Sequence, residues 1–136
     1  MSITPEIVEI LKKGKTIAVV GASRNPSKAA HSIPKYLKEH GYTIIPVNPL
    51  AETILDEKVY PKLIDIPVQV DIVDVFRPSE DTPAVVAEAV KLKPKLIWLQ
   101  LGITNEEAKK IADDNGIPIV MDKCMKIEHM RLFHQH

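Results

Sequence analysis

The sequence lacks the features of secreted, membrane-spanning and metal-binding proteins. Its single cysteine, Cys124, excludes an intramolecular disulfide and a cysteine metal cluster. It has no apolar run near the ~18 residues of a membrane helix, and its start (MSITPEIVEILKKGK) lacks the layout of a secretion signal. These absences predict a cytoplasmic protein without a membrane segment.

An excess of either charge is also missing. The 18 lysines and arginines balance 18 aspartates and glutamates, so no overall field attracts nucleic acid or anionic lipid. Any anion must therefore be captured locally. With 45% hydrophobic and 26% charged residues, residues 1–136 are interpreted as one globular domain. Many isoleucines and few glutamines and asparagines hint at a thermophilic source.

Short apolar runs rich in valine and isoleucine predict buried β-strands. Their apolar character is continuous rather than alternating, which is typical of parallel strands covered by helices on both faces. The runs are residues 17–21, 43–47, 71–76, 96–101 and 117–121. A further short strand is predicted at residues 58–60.

Segments with helical spacing separate these strands. Helices are predicted at residues 5–13, 27–40, 82–93, 104–115 and 126–133. Thr4 is expected to cap the first helix, and Thr104 with Glu107 is expected to form a capping box on the fourth. The alternation predicts a three-layer α/β protein with a doubly wound parallel sheet and strand order 3-2-1-4-5-6.

In such a sheet a ligand crevice opens between the first and fourth strands, at their carboxyl ends. Three chain segments should meet there, one after each of the first, second and fourth strands. They are Gly21-Ala22-Ser23-Arg24, Asn48-Pro49 and Phe76-Arg77-Pro78. The topology selects these positions independently of their chemistry.

The first segment lies in AVVGASRNPSK, residues 18–28, which lacks the usual G-x-G-x-x-G dinucleotide signature. Gly21 allows close backbone approach, and Ala22 and Ser23 add little bulk. Backbone N–H groups and the start of the next helix would point at a diphosphate, with Arg24 and Lys28 supplying positive charge. The alternative is a tight strand–helix turn whose two cations are merely solvated.

The second segment discriminates between nucleotides. An NAD site normally places Asp or Glu at this strand end to bind the ribose diol, whereas this chain has Asn48 followed by Pro49. The neutral amide disfavours NAD and leaves NADP or coenzyme A, whose ribose phosphate Arg24 or Lys28 could bind. Alternatively, Asn48-Pro49 simply turns the chain.

The third segment carries an aromatic residue and a cation. Phe76 could cover an adenine ring or a pantetheine arm, or it could be ordinary core. Arg77 could reach an anion, or pair with Glu80 or Asp81. Pro78 stiffens the turn in either case.

Five motifs follow one another along the chain: VVGASRNPSK, IIPVNP, VDIVDVFRP, IWLQLG and VMDKCMKIEH. Together they resemble the stand-alone CoA-binding domain proteins. Those proteins are similar to the N-terminal domain of the succinyl-CoA synthetase α-subunit and of ADP-forming acyl-CoA synthetases. The resemblance covers about residues 14–132, and it implies a Rossmann-like domain that binds coenzyme A across the strand ends.

The resemblance also implies residue roles. The diphosphate and a neighbouring phosphate would be held by Gly21, Ala22, Ser23 and Lys28. The adenosine would lie between Val47-Asn48-Pro49 and Phe76-Arg77-Pro78, and Leu101-Gly102-Ile103 would border the pantetheine path. The synthetases also have a phosphohistidine domain and a nucleotide-grasp subunit. This sequence matches neither, so acyl-CoA synthesis by this chain alone is not expected.

Two functions remain open. In the first, the protein is a non-catalytic module that binds CoA or acyl-CoA as a carrier or sensor, or serves a protein partner or a homodimer. In the second, it is a small thiol-redox enzyme that uses NADP or CoA disulfide and Cys124, activated by Lys123 and Lys126. The missing glycines and the lack of a placed proton donor count against the second function. A lone cysteine is also more often an inert buried side chain. No metal site is predicted.

Overall fold

A computed structural model describes residues 3–133. In chain order its strands are β1 (Thr16–Val20), β2 (Thr43–Val47), β3 (Thr53–Ile54), β4 (Glu57–Lys58), β5 (Ile72–Val75), β6 (Leu96–Leu99) and β7 (Ile119–Val120). Five of them form a parallel sheet in the order β2-β1-β5-β6-β7, and β3 and β4 form a separate antiparallel hairpin.

Helices cover both faces of the five-stranded sheet. They are α1 (Pro5–Lys13), α2 (Ala29–Glu39), α3 (Thr82–Ala89), α4 (Glu106–Asp114) and α5 (Met125–Phe133). Buried residues of α1, α2 and α5 pack in one core cluster, and those of α3 and α4 pack in a second cluster on the opposite face. The predicted three-layer, doubly wound, Rossmann-like α/β fold is confirmed.

The two clusters explain why the strands lack alternation. In β1, Ile17 and Val19 contribute to one cluster, whereas Ala18 and Val20 contribute to the other. Both sides of the strand are therefore buried in apolar surroundings, as in other parallel sheets covered by helices. No helix within residues 3–133 is long and apolar enough to cross a membrane.

The prediction of a strand at residues 58–60, which was to be strand 3 at the edge of the sheet, is wrong. The strand is reduced to an isolated parallel bridge between Tyr60 and Val47, on the predicted side of β2. Residues 57–58 pair instead with Thr53–Ile54 across a tight turn, in which Leu55 and Asp56 have φ of 55° and 62°. The order of the five remaining strands is as predicted.

Several helix ends also differ from the prediction. Thr4 caps α1 as expected, and its side chain accepts a hydrogen bond from the Ile7 N–H at 3.2 Å. The cap of α4, however, is Asn105 rather than Thr104, with Asn105 Oδ1 accepting from the Ala108 N–H at 2.9 Å. The helix predicted from residue 27 begins at Ala29. Both α3 and β7 are shorter than expected.

Candidate functional site

The three predicted segments lie together at the carboxyl ends of β2, β1 and β5, and Gly21 is in contact with both neighbours. Its N–H donates to the Val47 carbonyl at 3.0 Å. Its φ is +84°, and a Cβ added there would lie 2.4 Å from the Phe76 carbonyl oxygen. Only glycine fits this conformation and this approach, so Gly21 is needed to bring the segments together.

The loop after Gly21 is held by its own hydrogen bonds. The Ser23 N–H donates to the Ala30 carbonyl at 3.1 Å, and the His31 ring donates through Nδ1 to the Ser23 carbonyl at 2.8 Å. Asn25 donates its N–H to Ser23 Oγ, while Asn25 Oδ1 accepts from both the N–H and the hydroxyl of Ser27. These bonds fix the shape of the loop before any ligand binds.

The first turn of α2 remains open at the end of this loop. Lys28 occupies the cap position, but its side chain makes no capping hydrogen bond. The backbone N–H groups of Ala22, Arg24, Ala29 and Ala30 donate to no acceptor within residues 3–133. Unpaired N–H groups at the positive end of a helix dipole favour an anion, so this turn is suited to a phosphate.

Asn48 joins the ends of β1 and β2. Its Nδ2 donates to the Ala22 carbonyl at 2.9 Å, and its Oδ1 accepts from the Leu50 N–H at 2.7 Å. An ionised aspartate could not donate the first of these bonds. The Asn48 amide therefore stabilises the turn, which was the alternative role considered for Asn48-Pro49. Because the amide is neutral, it also leaves the end of β2 without a negative charge.

A cavity of about 790 Å³ opens over the Gly21 turn and the start of α2. Its charged lining residues are all cations, Arg24, Lys28 and Arg77. Of these, Arg77 forms an ion pair with Asp81 at 2.8 Å, whereas Arg24 and Lys28 have no ion-pair partner within the described residues. Such a cavity attracts an anionic group.

A second cavity of about 440 Å³ adjoins the first on the α3 side of the sheet. The two cavities share Gly21, Asn48, Leu50, Phe76 and Arg77. The remaining lining of the second cavity is mostly apolar: Val20, Val47, Pro49, Pro61, Lys62, Leu63, Ala84, Val85 and Glu88. Both volumes fall in the usual range of small-molecule sites, roughly 300–1,000 Å³.

Nearly all the predicted site residues line these cavities. Those in the first are Gly21, Ala22, Ser23, Arg24, Lys28, Asn48, Phe76, Arg77, Pro78 and Ile103. Val47 and Pro49 line the second cavity. Gly102 lines neither, and its N–H donates to Asp122 Oδ1 at 2.7 Å. The ligand contacts assigned to all these residues remain predictions.

Other lining residues were missed. In the first cavity they are Asn25, Ala29, Ala30, Leu50 and Ala51, and in the second they include Lys62, Leu63 and Glu88. An Asn-Pro pair is a common turn signal, so Asn25 could have been found from the sequence. Leu50 is 88% exposed, and an apolar side chain left in water at a cavity mouth is a second signal, visible only in the structure.

Cys124 lies apart from both cavities. It is half-buried, directly precedes α5 and packs against the core cluster that contains Trp98. It is absent from the lining of either cavity. No group of three potential metal-ligating side chains occurs within the part of the chain that the structure describes.

Asp74 is a buried acid on β5, two residues before Phe76. Its Oδ1 accepts a hydrogen bond from Gln100 Nε2 at 2.5 Å, while Oδ2 is buried without a partner among residues 3–133. Burial raises the pKa of Asp74 to about 7, although the Gln100 hydrogen bond opposes this shift. It lines neither cavity, so we assign it no contact with a ligand.

The parallel sheet, the glycine turn and the open helix start at the strand ends define a Rossmann-like α/β domain with a cleft at its topological switch point. The profile of the CoA binding domain family matches residues 15–130. The chain belongs to that family.

Known proteins similar to this chain include small proteins and parts of larger enzymes. YneT of Bacillus subtilis, an uncharacterized protein, is 41% identical over 124 residues, which cover 91% of this chain and 92% of YneT. The solved structure of cell-free ID.343 from Thermus thermophilus has a TM-score of 0.90 and 44% identity, covering 94% of this chain and 97% of that one.

An ADP-forming acetate–CoA ligase II of Archaeoglobus fulgidus is 38% identical over 101 residues. The matched region covers 73% of this chain but only 15% of the ligase. The likeness is therefore to one part of a much longer enzyme.

Proposed function

We propose that the protein binds coenzyme A or an acyl-CoA across the two joined cavities and acts as a non-catalytic carrier, sensor or partner module. The observation that carries this proposal is the first cavity, where cations surround the unpaired N–H groups at the start of α2. Membership of the CoA binding domain family supports the choice of ligand.

The diphosphate would bind at the Gly21 turn. The N–H groups of Ala22, Arg24, Ala29 and Ala30 are available as donors because they make no hydrogen bond within the described chain. Arg24 and Lys28 would pair with the diphosphate and the ribose phosphate, since both are exposed cations without an ion-pair partner among residues 3–133. The Ser23 hydroxyl accepts from Asn25 and retains its own hydrogen to donate.

The adenosine would lie in the second cavity, and the pantetheine arm would leave through the first. Val47, Pro49 and Phe76 all line the second cavity and offer apolar contact to a flat ring. Ile103 borders the first cavity and is half-buried, so it offers apolar contact to the arm. Cys124 lines neither cavity, so we propose no thiol chemistry with the ligand.

Isothermal titration calorimetry with CoA, acetyl-CoA, dephospho-CoA, NADP and NAD tests the ligand class. We expect CoA to bind, dephospho-CoA to bind at least about tenfold more weakly, and NAD not to bind, because a charge-assisted phosphate contact contributes on the order of 1.5–3 kcal/mol. Binding of NADP without binding of CoA would reject the proposal.

Variants of Ser23 test the position of the diphosphate. Ser23→Leu would fill the space over the turn and should weaken CoA binding by more than about tenfold, which corresponds to 1.4 kcal/mol. Ser23→Ala keeps that space but removes the hydroxyl donor, so it should weaken binding less than Ser23→Leu does. Cys124→Ser lies outside both cavities and should change affinity by less than about threefold. Under reducing conditions, a larger loss for Cys124→Ser than for Ser23→Leu would contradict this position.

A further inference from the structure

One carboxylate faces the cations of the two cavities. Among the residues lining either cavity, the charged side chains are Arg24, Lys28, Lys62, Arg77 and Glu88. Glu88 belongs to α3 and lines only the second cavity, so the two cavities differ in charge. A phosphate would be repelled by Glu88 and attracted by Arg24 and Lys28.

Only one of the two carboxylate oxygens of Glu88 accepts a hydrogen bond from the described residues. Its Oε1 accepts a hydrogen bond from the Leu63 N–H at 2.9 Å, and this bond fixes the side chain against the second cavity. Its Oε2 accepts no hydrogen bond and joins no ion pair within residues 3–133. Glu88 is half-buried, and this oxygen is available to accept a hydrogen bond from a ligand group in the second cavity.

We propose that Glu88 determines base specificity by accepting a hydrogen bond from the exocyclic amine of an adenine in the second cavity. This inference rests on the proposed function, which places the adenosine there. The apolar walls from Pro49, Leu63 and Val85 accommodate the ring but do not distinguish one purine from another. Glu88 supplies that distinction.

Two ligands that differ only in the amine test this proposal by calorimetry. Adenosine 3′,5′-bisphosphate carries the amine, and purine riboside 3′,5′-bisphosphate lacks it. We expect the natural protein to bind the adenosine compound about tenfold more tightly, because a hydrogen bond to a charged acceptor would be lost with the other ligand.

Glu88→Gln then assigns the effect to this residue. The glutamine carbonyl keeps the acceptor for the Leu63 N–H, and its NH₂ group replaces Oε2 with a donor that opposes the adenine amine. The two ligands should therefore bind within about twofold of each other, or in reversed order. Glu88→Ala, a second variant should the first fold poorly, should also lose the preference.

Glu80→Gln is the matched control. Glu80 is exposed, precedes α3 and lines neither cavity, so this variant removes the same charge nearby and should retain the tenfold preference. Equal binding of the two bisphosphates by the natural protein, while CoA still binds, would overturn the role of Glu88 alone. Retention of the full preference in Glu88→Gln would do the same. Failure of both CoA and adenosine 3′,5′-bisphosphate to bind would reject the proposed function as well.

Discussion

Replacing Asp74 with asparagine should remove a pH-dependent loss of stability, so the variant should gain stability relative to the natural protein as the pH rises. Burial raises the pKa of this carboxyl to about 7 in the folded protein, against 3.8 for the free side chain. In Asp74→Asn the amide oxygen can still accept from Gln100 Nε2. The amide replaces a group that must either stay protonated or carry a buried charge.

The magnitude follows from these two pKa values. Below pH 4 the carboxyl is protonated in both the folded and unfolded states, so its titration costs nothing. Between pH 4 and 7 it ionises only in the unfolded chain, and the free energy of unfolding falls by about 1.4 kcal/mol per pH unit. Above pH 7 the loss levels off at about 4 kcal/mol, because the pKa difference is about 3. Of this loss, about 2–3 kcal/mol falls between pH 5 and 8.

Urea unfolding at pH 5 and pH 8 measures the effect as a difference between variant and natural protein. Other titrating groups are common to both and cancel in that difference. Asp113→Asn is a suitable control, because it makes the same change of side chain on the exposed surface of α4, where Asp113 pairs with Lys109. We expect the burial-dependent pH effect to be absent there. If the Asp74→Asn difference is equally unaffected by pH, the buried carboxyl does not titrate as argued.

Two further predictions concern the elements that shape the site. Gly21→Ala should lower the free energy of unfolding more than Gly102→Ala by at least about 2 kcal/mol in urea titrations, because both glycines have φ of +84° but only at Gly21 would a Cβ meet the Phe76 carbonyl oxygen. If both variants lose the same free energy of unfolding, the contact between the new Cβ and the Phe76 carbonyl oxygen is relieved without a cost in stability. Asn105→Ala should lose about 1 kcal/mol through its capping bond, and Thr104→Ala less than about 0.5 kcal/mol. The opposite ranking, measured in the same way, would restore Thr104 as the cap.

The sheet could be predicted because each of its strands lies in a continuous apolar run that is visible in the sequence. Runs such as LIWL of β6 are buried on both sides, so their apolar character does not depend on details of packing. The hairpin of β3 and β4 was missed because its turn uses Leu55 and Asp56 at positive φ, without the glycine or asparagine that usually marks such a turn. The cap of α4 was misplaced by one residue because Thr104 and Asn105 are both suited to cap a helix.

The first cavity could be anticipated from the sequence, and the second only in part. Strand ends of a parallel sheet converge by topology, so the positions of Gly21, Asn48 and Phe76 follow from strand order alone. Part of the lining of the second cavity comes from Leu63 and Glu88, which are hydrogen-bonded to each other but lie 25 residues apart in the chain. No local pattern marks such a contact. The start of α2 was expected at this site, but the structure was needed to show which of its N–H groups are unpaired, because the helix begins at Ala29 rather than at residue 27.

The outer edges of the parallel sheet leave little backbone on which another strand could dock. On one side, Pro46 in β2 has no N–H to offer, and Tyr60 already pairs with the Pro46 carbonyl and the Asn48 N–H. On the other side, β7 comprises only Ile119–Val120. Short or occupied borders of this kind discourage edge-to-edge aggregation. If two copies associate, we therefore expect contact through helices or loops rather than through a continuous intermolecular sheet.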